Sequence, residues 1–260
     1  WRDRYSEAPD RPGEIEVRLE RMEIRADPTW SAGGSQPAVV AVANVSLIVR
    51  DCTIYGHTGV TRCRAKFTGN HIVGWLGVVD AEATVTDNTL KGGISVNGGP
   101  VTIERNKVDG VLEIGPGCDL VLPPWLLSPP RCASKEGPGC EAVVRGNEIT
   151  SSNEGIYIEA GKGTVEVAEN RIINCADGVK IYLPPRGVQA DTKVSIWGNV
   201  ISHADEYYSG NGIELFTEHV PTSPGRLLVD ISRNVIQGFR RGIHLDEPDD
   251  SRERIALSRE

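Results

Sequence analysis

One pattern leaves this chain few folds to adopt: apolar residues five and three places before an Asn and two places after it, written again and again. Around Asn106 they are Val101, Ile103 and Val108. The same offsets hold at Asn70 (Ala65, Phe67, Ile72), Asn88 (Ala83, Val85, Leu90), Asn147 (Ala142, Val144, Ile149) and Asn170 (Val165, Val167, Ile172). They hold again at Asn199 (Val194, Ile196, Ile201) and Asn234 (Val229, Ile231, Ile236). Two degenerate copies come first, with Cys52 in the Asn place between Leu47, Val49 and Ile54, and Met22 between Val17, Leu19 and Ile24. Successive Asn lie 18, 18, 41, 23, 29 and 35 residues apart. A fixed module with insertions of variable length is the mark of a solenoid.

The module reads as strand. Its apolar residues alternate with polar ones at period two and are mostly Val and Ile. The Asn is expected to turn the chain, because Asn tolerates the left-handed conformation. Four places on there is often Gly: Gly56, Gly74, Gly92, Gly110 and Gly238. A third strand follows in most copies: Gly155-Ile-Tyr-Ile, Gly178-Val-Lys-Ile, Gly212-Ile-Glu-Leu and Gly242-Ile-His-Leu. One unit of three short strands cannot bury its own apolar face, whereas stacked units enclose a continuous aliphatic core.

This module resembles that of the right-handed parallel β-helices of the pectate-lyase-like kind, including the carbohydrate-binding and sugar-hydrolase repeat group. The resemblance covers about residues 14–260. It implies an all-β, single right-handed parallel β-helix solenoid of about nine coils, three short strands per coil, and a carbohydrate-acting role. A left-handed solenoid can share the 18-residue turn, but it prefers a regular hexapeptide, absent here. Residues 1–13 read as an N-terminal extension, 115–140 as a loop insertion and 251–260 as an apparently incomplete final coil. Ile255 and Leu257 there are expected at the minus-five and minus-three places. Two readings follow: the chain is part of a longer polypeptide, whose further domains are then expected partners, or a short final strand is capped by something else.

Composition narrows the function. The net charge of −8 and the absence of any Lys/Arg run argue against nucleic acid, whose phosphates need a basic surface. No apolar run reaches membrane-spanning length. No signal peptide is visible and the chain begins without Met; the expected setting is extracytoplasmic or secreted, as a monomer. The 6 Cys contain no C-x-x-C pair. Cys118, Cys132 and Cys140 fall in one insertion, where a disulfide among them and free loop thiols are both open readings. Phosphate loops, H-E-x-x-H and G-x-S-x-G are absent.

In the Gly-Ile-x-Ile-x strand the x residues face outward and stack into columns from coil to coil. The first column is expected to run Thr61, Val79, Ser95, Glu113, Tyr157, Lys180, Glu214, His244. The second is expected to run Asn97, Gly115, Glu159, Tyr182, Phe216, Asp246. The N-terminal half is bland and the C-terminal half is dense with ionisable and aromatic groups.

For a uronate polysaccharide lyase, Lys180 is the candidate base that removes the proton beside the sugar carboxylate. Glu159 and Glu214 are candidate ligands for Ca²⁺, and His244 and Asp246 further acid–base candidates. Tyr157, Tyr182, Phe216, Tyr207, Tyr208 and Glu113 are candidate contacts to a polysaccharide or oligosaccharide. Hydrolysis by Glu159 and Glu214 is the second chemistry. The alternative is a non-catalytic binding or scaffold module, since outward Glu, Lys and Tyr also arise as cross-strand ladders. The Trp125-Leu126-Leu127 tip of the long insertion is expected to pack on the solenoid, with walling a groove as the alternative.

Overall fold

The computed structural model describes residues 15–26, 37–41, 45–115, 139–150, 153–184, 190–204, 208–217, 225–246 and 256–258. Each strand pairs in parallel with the strands one coil before and one coil after, the end strands on one side only, giving three sheets of 10, 9 and 9 strands. The chain visits the first, second and third sheet in turn and then starts again: a parallel β-helix.

The repeat maps onto this register without a slip from the first coil to the ninth. In the first sheet the minus-five residues align as Val17, Leu47, Ala65, Ala83, Val101, Ala142, Val165, Val194 and Val229. In the second sheet the plus-two residues align from Ile24 through Val108 to Ile236. These columns are the core: Phe67, Val85, Ile103, Val144, Leu90 and Ile149 are wholly buried. Each such side chain contributes about 1.5–3 kcal/mol by leaving water, and no single coil could bury it alone.

The Asn residues do not take the left-handed turn expected of them. Positive φ falls one place earlier in every coil, at Arg21, Asp51, Gly69, Asp87, Arg105, Gly146, Glu169, Gly198 and Arg233. The turn at minus one frees the Asn side chain to point inward. Asn88, Asn106, Asn147 and Asn170 are each 1 % exposed. Each accepts, on Oδ1, the backbone N–H and the Nδ2–H of the Asn one coil before. Asn106 takes both from Asn88 at 2.9 Å. Its own Nδ2 donates to the Val85 carbonyl at 2.8 Å and to Asn147 Oδ1 at 3.0 Å. The ladder runs unbroken from Asn70 to Asn234. Cys52 caps it: its N–H donates to Asn70 Oδ1, and its thiol points to the Leu19 and Arg50 carbonyls.

A second difference lies at the end of the first sheet. The Ala256–Ser258 strand pairs Leu257 with Val229, placing Leu257 at minus five rather than minus three. The shift in backbone register is two residues.

Candidate functional site

The third sheet carries the outward groups of interest. Its first column runs Gly59, Gly77, Ser95, Glu113, Tyr157, Lys180, Glu214, His244. Thr61 and Val79 instead pair with Asn97, in the second column. Those early strands lack the leading Gly-Ile phase that set the alignment elsewhere, so the count was two residues out. From Ser95 onward the expected columns hold. Glu159, Tyr182 and Phe216 sit side by side in the second, with Asp246 one residue past the Leu215–Leu245 pair.

Glu214 is the hub. It is 8 % exposed, and its oxygens are taken by three groups. Lys180 Nζ lies 3.1 Å from Oε2. Asn211 Nδ2 donates to Oε1 at 2.9 Å, and His244 Nδ1 lies 3.3 Å from the same oxygen. Arg241 Nη1 stands 3.3 Å from His244 Nε2. A guanidinium can only donate, so Nε2 accepts and the ring hydrogen sits on Nδ1, aimed at Glu214. Asp177 closes the network by accepting the Asn211 N–H at 2.9 Å.

The sequence reading missed Asn211, Asp177 and Arg241. The signal was available: Glu154, Asp177, Asn211 and Arg241 each stand immediately before the Gly of a third-sheet strand.

The aromatic residues form a ladder. Tyr157 and Tyr182 have ring centroids 6.2 Å apart at 25°, and Tyr182 and Phe216 lie 5.9 Å apart at 23°. Lys180 Nζ lies 4.8 Å from the Phe216 centroid. The rings are splayed by these angles, and all three are half-buried. Burial, with Glu159 the next cause, pushes the Tyr157 hydroxyl well above its ordinary value.

Glu113 sits one coil before Tyr157. Burial raises its carboxyl above the ordinary glutamate range, a hydrogen bond from Ser95 opposes this, and the Glu154 charge adds to it.

Lys180, Glu214, His244, Tyr157, Tyr182 and Phe216 are therefore one connected surface, with Glu113, Glu159 and Asp246 at its margins. Glu214 spends its oxygens on protein donors. Among the described residues no three of His, Cys, Asp and Glu gather to hold a metal ion. Tyr207 lies outside the described residues, as do Cys118, Cys132 and the Trp125 tip, and of Tyr208 only the backbone, in the Tyr208–Thr217 strand, is described. Cys140 is a buried free thiol, pushed up to about 12 by that burial. No helix among the described residues is long and apolar enough to cross a membrane.

Fold and site together define a parallel β-helix with one chemically dense outward face near its C-terminal coils. No family model, curated protein or solved structure matches the chain, so what that face does has to be argued from its own geometry.

Proposed function

We propose that the outward face of the third sheet binds a saccharide chain laid along the solenoid axis, with the Tyr157–Tyr182–Phe216 ladder as its floor. The observation that carries this reading is the ladder itself: three half-buried aromatic residues on successive coils, flanked on both sides by ionisable groups. Apolar ring surface beside polar hydrogen-bonding groups suits the mixed faces of a sugar ring. Long insertions follow or enter these same strands, and binding sites favour loops held by a rigid scaffold.

The network also bears on catalysis. Lys180 Nζ is held 3.1 Å from Glu214 Oε2 and 4.8 Å from the Phe216 ring centroid, inside the face. Its role is to hold the floor in register, and the face serves binding rather than elimination.

The test is a calorimetric panel of acidic and neutral oligosaccharides against the intact chain and Tyr182→Ala. Ultraviolet absorbance of unsaturated uronates is followed in parallel. We expect binding of at least one oligosaccharide, weakened about tenfold in Tyr182→Ala, without growth of absorbance. Absorbance that grows, and that Lys180→Ala abolishes, would replace the binding reading with a uronate lyase. No binding across the panel would remove the saccharide reading.

A further inference from the structure

The C-terminal end of the solenoid is covered on one sheet and open on another. The first sheet ends on the Ala256–Ser258 strand, which pairs with Leu227–Ser232. In the strand so covered, Val229 is 1 % exposed. The third sheet ends on the Phe239–Leu245 strand. That strand pairs with Tyr208–Thr217 on one side and, among the described residues, with no strand on the other. Ile243 belongs to the core column that runs through Ile156, Val179 and Ile213. Ile213, one coil inside, is 1 % exposed, whereas Ile243 is 51 % exposed. Phe239 and Leu245 beside it are only partly buried.

A free edge offers unpaired N–H and C=O groups to any extended chain. The charges say which chain suits it. Arg240, Arg241 and Gly242 are exposed. Arg240 has no ion pair among the described residues, and Arg241 reaches the His244 ring, Nη1 to Nε2 at 3.3 Å. Glu214, in the strand behind, is already bound by Lys180 and Asn211. Asp246 stands one residue past the end of the strand. Two copies meeting edge to edge would set these arginines against their own kind, and like charges facing across strands are destabilising.

We infer that this edge is a docking site for an extended acidic segment of another protein, which adds a tenth strand to the 9-stranded third sheet. Apolar residues at alternate places of that segment cover Ile243, Phe239 and Leu245, and its carboxylates, on the opposite face, meet Arg240 and Arg241. Backbone pairing supplies the affinity and the arginines the choice of partner. The edge adjoins the proposed saccharide face but does not depend on that reading.

The test uses the intact chain and a labelled, end-blocked heptapeptide alternating Glu and Val, read by fluorescence anisotropy. Its length is that of the free strand, 7 residues. It is expected to bind about tenfold or more tightly than its Lys–Val counterpart. N-methylation along one edge of the peptide should abolish binding, and along the other should leave it within about threefold, because only one edge of an added strand pairs. Arg240→Glu removes an exposed side chain without an internal ion pair and should weaken binding about fivefold or more. Sedimentation velocity of the chain alone should show no self-association.

Equal loss from both methylation patterns, or unchanged binding in Arg240→Glu, overturns the inference. So does a fall in Tyr182→Ala equal to that in Arg240→Glu, which would seat the peptide on the aromatic ladder. Self-association that the peptide does not reverse would make a second copy the occupant and also overturn it. A monomeric chain that binds neither peptide overturns it as well.

Discussion

The buried Asn is the residue on which the coils are threaded. Asn106 takes part in four side-chain hydrogen bonds, two accepted and two donated, all in the protein interior. Replacing it by Ala leaves the buried Asn88 N–H without its acceptor and takes one hydrogen bond each from Asn88 Nδ2, the Val85 carbonyl and Asn147 Oδ1, which keeps the Asn106 backbone N–H. Each orphaned buried group costs about 1–3 kcal/mol. Asn106→Ala should therefore lower stability by about 3 kcal/mol or more in urea unfolding, and Asn234→Ala, at the half-buried end of the ladder, by less. The sequence displayed these Asn plainly as a marker of period but not their task. A turn-forming Asn and a ladder-forming Asn leave the same trace, and the difference shows only in which residue has positive φ. That residue is more often Arg, Asp or Glu, as at Asp87, Arg105, Glu169 and Arg233, than Gly, and nothing in those side chains announces it. Ion pairs such as Arg105–Asp87, with Nε to Oδ1 at 2.9 Å, decorate that corner but are exposed and contribute little.

At the scale of the strand, the leading Gly of the third-sheet strands at Gly155, Gly178 and Gly212 is a packing requirement. A Cβ on Gly178 would overlap Ile201 Cγ2 and the Gly212 carbonyl oxygen of the next coil, and one on Gly212 would overlap Ile236 Cγ2. Gly242 has nothing within 4 Å. Gly178→Ala should thus cost about 1–3 kcal/mol by overpacking, while Gly242→Ala should leave the melting temperature nearly unchanged. Strand identity and face were legible wherever the Gly-Ile-x-Ile phase was complete, from Ser95 through His244. They failed at Thr61 and Val79, where Gly59 and Gly77 hold the outward places and give no polar signal. The site was legible as two columns of ionisable and aromatic residues. Which groups would touch was not: the convergence of Lys180, Asn211 and His244 on Glu214 depends on side-chain reach between coils, and no spacing rule encodes that.

For the whole molecule, the acidic groups divide into two kinds. Arg105, by its hydrogen bonds, holds the Asp87 carboxyl below its usual range, and Arg145 does the same for Glu169. Burial moves Glu113 and Asp80 the other way. An acid whose folded-state pKa is raised binds its proton more tightly folded than unfolded. Its effect on stability therefore worsens as pH climbs from the ordinary value through the raised one. For Glu113 that window opens above 4.5. Glu113→Gln should be more stable than the parent at about pH 7, with the gap closing towards about pH 4 in denaturant titrations. A parent and variant that keep a constant gap across that range would mean the carboxyl is compensated by a group not identified at this site.

The outward face of the first sheet has a recess of about 400 Å³, lined by Glu82, Thr84, Thr102, Glu141, Val143 and Glu166 among others. Among the described residues it carries no aromatic ladder and no buried ion pair. The structure of the chain bound to the tightest oligosaccharide of the panel is therefore the most direct test of the saccharide-binding face. Sugar rings lying over Tyr157, Tyr182 and Phe216, with their long axis along the solenoid, are the predicted result. Sugar seated in the first-sheet recess, with the third-sheet ladder bare, would contradict it.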